Sequence, residues 1–218
     1  MGIKENVQKI LSELPAGVSL VAATKTQPLE KVLAAVDSGV KIVGENYVQE
    51  AEEKFGKEGN KIRGKAELHL IGPLQKGKIN RALGIFDCIE SVDSAALAEE
   101  ISKRAKKDTQ IFLEINISDE KTKSGFRKED VFSSAKTISA MPKIKLSGIM
   151  AMPFSQNEKT LRTYFSEMKE LFEMLRTEYP RIIFLSMGMS QDYKIAVEEG
   201  SNIVRIGTAI FGERNYKK

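Results

Sequence analysis

Residues 18–28 read VSLVAATKTQP, and this stretch sets the pattern on which the fold prediction rests. Its first six residues are almost all apolar, which is typical of a strand that is buried on both faces. One cationic residue, Lys25, follows that strand. Pro28 then marks the first turn of a helix, where its fixed φ and missing N–H cost nothing. The stretch therefore predicts a strand, a short loop that carries one lysine, and a helix.

A lysine placed directly after a buried strand can have either of two roles. The amine of a free lysine has a pKa of about 10.4, so roughly one amine in a few thousand is neutral and nucleophilic at pH 7. Partial burial or a cationic neighbour disfavours the ammonium form and can make such an amine reactive. Alternatively, the ammonium simply extends to water from the end of the strand. The rest of the sequence has to decide between these roles for Lys25.

The alternation of a short apolar run with a helical pattern recurs along the whole chain. Eight such runs predict strands at residues 18–23, 41–43, 67–71, 86–90, 110–115, 144–149, 182–185 and 203–206. Strands that alternate with helices favour an α/β protein, and eight of them favour a parallel sheet closed into a (β/α)₈ TIM barrel. The alternative is an open, doubly wound sheet. No linker-like segment divides the chain, so residues 1–218 are expected to form a single domain.

Two further segments show apolar residues at helical spacing. Residues 3–14 carry an apolar stripe, which predicts an extra helix before the first strand. Residues 161–175 carry the most regular stripe in the chain, which is typical of a helix packed on the core. The second stripe consists of Leu161, Tyr164, Phe165, Met168, Leu171, Phe172 and Leu175.

Composition restricts the class of protein. Hydrophobic residues make up 41% of the chain and charged residues 29%, as in water-soluble globular domains. No apolar run approaches the roughly 20 residues that span a bilayer, and no signal peptide is recognisable, so we expect a cytoplasmic protein without a membrane anchor. The net charge of +4 is spread along the chain, which argues against a nucleic-acid groove. A single cysteine excludes an intramolecular disulfide, and one cysteine with one histidine argues against a zinc site.

The residues that follow the last two predicted strands suggest an anion site. Barrels of this kind commonly bind phosphate with the loops after strands 7 and 8. Here those loops contain glycines, which allow close backbone approach, and the hydroxyls of Ser186, Ser190 and Thr208. Arg205 lies at the end of strand 8, beside the predicted site. Ordinary capping chemistry is the alternative, in particular Ser190 as the N-cap of the next helix. A phosphorylated aldehyde held by Lys25 would use both the amine and the phosphate site.

Three other polar residues have open interpretations. His69, the only histidine, lies inside the third predicted strand and is either a structural residue or part of a site. Asn46 follows the second strand and either orients a ligand or caps a helix. Lys123 belongs to a KSG motif in a long loop, where a solvated loop is the simplest interpretation.

Several motifs together resemble one known family. They are VAATKTQP, GENYVQE, HLIGPLQKGK, EINIS with the following KSGF, GIMAMP, LSMGMSQD and VRIGTAIFGERNY. In order and content they resemble the pyridoxal phosphate homeostasis proteins, which are cytoplasmic and have the barrel fold of the alanine racemase N-terminal domain. The resemblance extends from about residue 21 to residue 216.

The resemblance implies a cofactor and a set of residues that bind it. Lys25 would form a Schiff base with pyridoxal 5′-phosphate (PLP). Ser190, Gly207 and Thr208, with backbone groups of Met187 and its loop, would hold the phosphate. The remaining site residues implied by the resemblance are Arg205, near the ring and the phosphate edge, and Asn46 and His69, which would line the pocket.

The resemblance also favours a function in PLP homeostasis or carriage over catalysis. Many members have a second lysine two residues after the Schiff-base lysine, whereas this sequence has Gln27, so a transfer role at that position is in doubt. A racemase needs an acid/base group on each face of the substrate. Racemases of this fold take the second group from an added β-domain, for which we see no counterpart here. We therefore expect a monomeric carrier without catalytic turnover, with PLP-dependent apo-enzymes as possible partners. The alternatives are an amino-acid racemase and a Schiff-base aldolase.

Overall fold

A closed parallel barrel forms the centre of the molecule. The computed structural model describes residues 2–56, 62–120 and 123–213. Each strand pairs with the next one along the chain, and the last strand returns to pair with the first. The strands are β1 (Ser19–Ala23), β2 (Ile42–Glu45), β3 (Glu67–Leu70), β4 (Cys88–Val92), β5 (Thr109–Glu114), β6 (Ile144–Met150), β7 (Phe184–Ser186) and β8 (Ile203–Ile206). The predicted (β/α)₈ TIM barrel is confirmed.

Helices cover the outside of the barrel. In the described residues they are α1 (Ile3–Glu13), α2 (Leu29–Asp37), α3 (Val48–Phe55), α4 (Ile79–Ile85), α5 (Ala95–Arg104), α6 (Val131–Ser139), α7 (Glu158–Glu178), α8 (Tyr193–Glu198) and α9 (Thr208–Phe211). The predicted extra helix is α1, which buries Val7 and Ile10. The Asn6 Nδ2 of α1 donates to the Ile210 carbonyl oxygen of α9 at 2.9 Å. This contact ties the start of the chain to the helix that follows β8.

The stripe of α7 packs on the barrel as predicted. Its apolar residues Leu161, Phe165, Met168, Leu171, Phe172 and Leu175 are buried. Full burial of one such side chain contributes about 1.5–3 kcal/mol to the stability of the fold. The long helix is therefore held by its apolar face.

Strand residues alternate between the helix-facing layer and the barrel axis. The inward set forms an apolar cluster of Val21, Ile71, Cys88, Phe112, Met150 and Ile203. His69, Glu90 and Arg205 each lie two residues along the chain from a member of this cluster. Because strand side chains alternate with a period of two, these polar residues also face the barrel axis. All three are buried.

The loop after β7 differs from the sequence prediction in the residue that precedes the next helix. Ser190 was expected as a possible N-cap of the following helix, but α8 begins at Tyr193 and is preceded by Asp192. Asp192 Oδ1 accepts the backbone N–H of Met189 at 2.5 Å, so the aspartate closes this turn. The Ser190 hydroxyl is turned instead toward the loop after β8.

None of the helices in the described ranges is long and apolar enough to cross a bilayer.

Candidate functional site

A cavity of about 470 Å³ opens at the C-terminal ends of the strands. This is the end of a (β/α)₈ barrel where sites are found, and the volume is in the usual range for small-molecule sites. Five of the predicted site residues line this cavity: Asn46, Ser190, Arg205, Gly207 and Thr208. Additional lining comes from Ala23 and Ile71 and from the loop after β6, which contributes Met152, Phe154, Ser155 and Gln156. The fold thus brings together residues that lie far apart in the sequence.

Asn46 is held in place by the loop after β3. A Cβ on Gly72 would lie 2.4 Å from the Asn46 carbonyl oxygen, so only glycine allows the two loops to pack this closely. The Gly72 carbonyl oxygen in turn accepts the Ser91 hydroxyl at 2.6 Å. The position of Asn46 is therefore fixed by close packing against a neighbouring loop.

The loops after β7 and β8 meet at the Ser190 hydroxyl. Its Oγ accepts the backbone N–H of Gly207 at 3.2 Å and lies 3.4 Å from that of Ala209. Gly188 has a φ of +96°, and a Cβ there would lie 2.6 Å from the Ala196 Cβ. The Gly188 carbonyl oxygen accepts the Arg205 N–H at 2.9 Å, which joins this loop to β8. The hydroxyls of Ser190 and Thr208 therefore lie at one side of the cavity next to the backbone of the loop after β8, and hydroxyls in this position fit a phosphate group.

Arg205 is almost fully buried, and neighbouring oxygens fix its guanidinium. Nη1 donates to the Ser186 hydroxyl at 2.6 Å, and Nη2 donates to the Ala151 carbonyl oxygen at 2.8 Å. Burial lowers the pKa of Arg205, and the charges of Glu90, Glu114 and Asp192 oppose this effect. The guanidinium lines the cavity in a fixed orientation and has little freedom to follow a ligand.

A column of polar side chains continues from Arg205 along the barrel axis. The Ser186 hydroxyl donates to Glu90 Oε2 at 2.6 Å, and Glu90 Oε1 lies 2.6 Å from His69 Nδ1. His69 Nε2 faces Glu67 Oε2 at 3.3 Å, near the opposite end of the barrel. Both ring nitrogens face carboxylate oxygens, so each needs an N–H and the imidazole is an imidazolium. We call these five residues the axial column.

Burial disfavours the charged form of His69, but its hydrogen bonds to Glu67 and Glu90 prevail and raise its pKa to about 9. Burial also opposes the ionisation of Glu90. The contact with His69 and the charge of Arg205 outweigh this and lower the pKa of Glu90. His69 and Glu90 are therefore a buried ion pair that supports Arg205 through Ser186.

Lys25 lies beside the cavity and is not among the residues that line it. Its Nζ lies 4.9 Å from the centroid of the Tyr47 ring, a cation–π contact. Asn46 and Ala23 line the cavity. Tyr47 is the next residue after Asn46, and Lys25 is two residues after Ala23, so both are close in sequence to residues of the lining.

Two other predicted site residues lie away from the cavity. His69 belongs to the axial column, and Met187 is fully buried with its N–H donated to the Ile203 carbonyl oxygen at 3.1 Å. Ser186, predicted among the phosphate hydroxyls, instead connects Glu90 with Arg205. The remaining lysine of interest, Lys123, pairs with Glu120 at 2.5 Å and lines a separate cavity of about 270 Å³.

A larger depression of about 1000 Å³ lies at the opposite end of the barrel. Its lining includes the basic residues Lys41, Arg63, Lys65 and Lys107, together with Glu67 from the start of β3. Arg63 donates to the Gly84 carbonyl oxygen, and Lys65 pairs with the exposed Asp37. The smaller cavity is the better candidate site because it combines glycine loops, hydroxyls and a buried arginine at the functional end of the barrel.

Sequence reasoning missed Glu90 as a partner of Arg205. The signal available was a carboxylate at the end of the apolar run FDCIE, because a charge buried in a strand needs a partner. Glu45 ends β2 in the same way and is also fully buried. The sequence alone does not identify the link from Glu90 to Arg205, because it passes through Ser186, which is 96 residues away in the chain.

Comparisons with known proteins agree with this geometry. The family model of the alanine racemase N-terminal domain matches residues 2–215. A pyridoxal phosphate homeostasis protein of Vibrio cholerae is 37% identical over 98% of this chain and 93% of the relative. The protein of the same name from Haemophilus influenzae is 40% identical over 91% of this chain and 86% of the relative.

Solved structures give the same relationship. The structure of PipY of Synechococcus elongatus, determined without PLP, superposes on this chain with a TM-score of 0.90 at 31% identity. The superposition covers 96% of this chain and all of the PipY chain. PipY with PLP bound superposes with a TM-score of 0.87 at 30% identity. Alanine racemase of Clostridium difficile shares the fold, with a TM-score of 0.81, but only 14% identity, and the match covers 57% of the racemase chain.

The end of the motif VRIGTAIFGERNY, residues 214–216, lies outside the described residues. The other motifs lie at least in part within the described ranges, and most of them contribute loops at the C-terminal end of the barrel. Sequence identity, coverage and fold all agree with the family resemblance: the chain belongs to the pyridoxal phosphate homeostasis protein family, which has the fold of the alanine racemase N-terminal domain.

Proposed function

We propose that the chain binds PLP in the 470 Å³ cavity, holds it as a Schiff base on Lys25, and serves PLP homeostasis as a carrier. The observation that carries this proposal is the convergence of five predicted ligand residues on one cavity beside that lysine. The relative PipY has been solved with PLP bound, at 30% identity over 96% of this chain, which supports the same cofactor here.

The side of the cavity formed by the loops after β7 and β8 would bind the phosphate. Ser190 and Thr208 offer hydroxyls, and Gly207 brings its backbone close to them. Hydrogen bonds from such groups to an anion are among the stronger ones in proteins. Arg205, held by Ser186 and Ala151, would face the ring from a fixed position, and Asn46, which also lines the cavity, would contact the ring as well.

Lys25 would provide the covalent attachment. PLP supplies an aldehyde, with which a neutral amine condenses to a C=N bond with release of one water. For this, Lys25 leaves the Tyr47 ring and turns into the cavity beside Ala23. Tyr47 therefore holds the amine close to the site before attachment.

The composition of the cavity favours binding without catalytic turnover. Racemisation needs two groups that take and return a proton on opposite faces of the substrate. Lys25, turned into the cavity, could supply one of these groups, but in the described residues the lining contains no histidine, cysteine or tyrosine for the second. Its carboxyl groups belong to Glu158 and Asp192, and Asp192 already accepts the Met189 N–H. The relatives, too, are named as homeostasis proteins.

The wider setting follows from the carrier function. The protein would act in the cytoplasm as a monomer and would release PLP to PLP-dependent apo-enzymes. The exposure of Tyr47 and Phe154 at the mouth of the cavity supports the release of PLP to a partner. Light scattering of the purified protein with and without PLP tests the monomeric state.

Titration of PLP-free protein with PLP tests the cofactor and its attachment. A visible absorbance band should appear, and borohydride reduction followed by peptide mapping should place the label on Lys25. Lys25→Ala should abolish the band, whereas Lys123→Ala, which changes the lysine of the separate cavity, should retain it. A label on Lys123 in the wild-type protein would refute the site assignment.

A further inference from the structure

Lys25 lies in a tight turn with an unfavourable backbone conformation. The Gln27 N–H donates to the Thr24 carbonyl oxygen at 2.9 Å, which closes the turn. Thr26 has a φ of +66°. This left-handed conformation is costly for a residue with a branched Cβ, and the cost corresponds to about a tenfold lower population than an unstrained backbone would have. Other contacts must therefore hold the turn.

Two residues of α3 hold it from one side. Glu50 Oε1 accepts the Thr26 N–H at 2.5 Å, next to Lys25 in the chain. Lys54 Nζ donates to the Thr24 carbonyl oxygen at 2.8 Å, on the other side of Lys25. The same ammonium contacts Glu50 Oε1 at 2.7 Å, which connects the two holding groups.

A buried carboxylate completes this arrangement. Glu45, fully buried at the end of β2, accepts Lys54 Nζ at 2.8 Å and the Thr24 hydroxyl at 2.6 Å through Oε1. Its other oxygen, Oε2, is buried without a hydrogen-bond partner in the structure. We call Glu45, Glu50 and Lys54 the turn clamp. The Lys54 side chain is only 11% exposed, so solvent screens these contacts less than those of a surface pair.

The same segment of chain therefore contacts the Lys25 amine and the backbone of the two residues that flank it. Tyr47, directly before α3, holds the amine, and Glu50 and Lys54 hold the backbone on both sides of the residue. We propose that the turn clamp is a positioning device, which keeps the Lys25 turn in its strained conformation so that the amine can reach the cavity. This inference rests on the proposed attachment of PLP to Lys25.

The strain at Thr26 provides a specific test. Glycine adopts positive φ without cost, so in Thr26→Gly the turn should keep its shape with less help from the clamp. Glu50→Ala removes the acceptor of the Thr26 N–H, and Glu52→Ala is the matched control. Glu52 is on the same helix but pairs with the exposed Arg81 at 3.2 Å.

The first measurement needs no cofactor. Amide hydrogen exchange of the turn should be about tenfold faster in Glu50→Ala than in the wild-type protein, as expected for one lost hydrogen bond to a charged group. Glu52→Ala should leave it unchanged. Unchanged exchange in Glu50→Ala would show that the clamp does not hold the turn, and would overturn the proposal.

The second measurement is the equilibrium constant for Schiff-base formation with pyridoxal, which lacks the phosphate and so reports on the amine. It should fall about tenfold in Glu50→Ala and recover to within about threefold of the wild type in Glu50→Ala/Thr26→Gly. Phosphate-dependent binding should be unaffected, because the anion site lies on other loops. An unchanged constant in Glu50→Ala, or no recovery with glycine, would refute positioning. A wild-type protein that forms no Schiff base at Lys25 would refute the proposed function as well.

Discussion

The charge of His69 should give the protein a pH-dependent stability that is measurable without any ligand. His69 has a pKa of about 9 in the folded protein and an ordinary value near 6.5 when unfolded. Because the folded value is the higher one, the folded state binds the proton more tightly. The stabilisation is fully present below pH 6.5 and is lost as the pH rises toward 9.

The magnitude follows from these two values. Linkage gives a total contribution of about 3 kcal/mol, of which about 2 kcal/mol should be lost between pH 6.5 and pH 8.5. Above this window Cys88 adds a second effect of the same sign, because burial raises the pKa of its thiol well above the ordinary value. Measurements up to pH 8.5 keep the thiol effect small, and comparison with His69→Gln separates the histidine from the other titrating groups.

Urea unfolding of PLP-free protein at intervals of half a pH unit provides the assay. The free energy of unfolding of the wild type should fall across the window at constant denaturant slope, and His69→Gln should be less stable and nearly independent of pH. Glu90→Gln should make the curve shallower, because it removes one of the two carboxylates that hold the imidazolium. Parallel curves for the wild type and His69→Gln would show that His69 is not charged in the folded protein, and would refute the reasoning.

Three further predictions concern the cavity and its loops. Thr208→Ala should weaken PLP affinity by about ten- to a hundredfold, which corresponds to the loss of one hydrogen bond to a charged group. The control Thr177→Ala, which changes an exposed threonine of α7, should leave the affinity unchanged. Equal affinities of Thr208→Ala and the wild type in equilibrium titrations would show that the phosphate binds at another place. The protein with PLP bound should exchange the Cα hydrogen of alanine in heavy water no faster than free PLP does, and faster exchange that is lost in Lys25→Ala would make it an enzyme. Gly188→Ala should destabilise the protein by about 2–4 kcal/mol in chemical denaturation, because it combines positive φ with a clash against Ala196; a loss below about 0.5 kcal/mol would contradict the loop geometry.

The sequence allowed the barrel to be predicted because its main determinant is local. A buried parallel strand needs a short apolar run, and each of the eight runs is visible without knowledge of its neighbours. Boundaries were less accurate: β4 was predicted at residues 86–90 and is Cys88–Val92. Phe86 begins the apolar run, but Phe86 and Asp87 precede the point at which pairing with β5 begins.

The site could be predicted in part, for a related reason. Ser190, Arg205, Gly207 and Thr208 were found because the topology of a barrel places the ends of β7 and β8 together. The axial column could not be predicted, since Glu90 and Ser186 are 96 residues apart and meet only through the inward register of two strands. Ser190 shows the same limit, because the residues beside it in sequence suggest a cap while its actual partner comes from the next loop.

The pairing of β1 with β8 also has a consequence for how the chain folds. Ser19 is in register with Ile203, so the contacts that close the barrel join residues more than 180 positions apart. Contacts of such large sequence separation form slowly, and until they form, β1 and β8 are open edges available to other strands. The cavity straddles this seam, with Ala23 on one side and Gly207 on the other. A ligand that binds there links the two ends of the chain and stabilises only the closed barrel, so it favours completion of folding over aggregation of the open form.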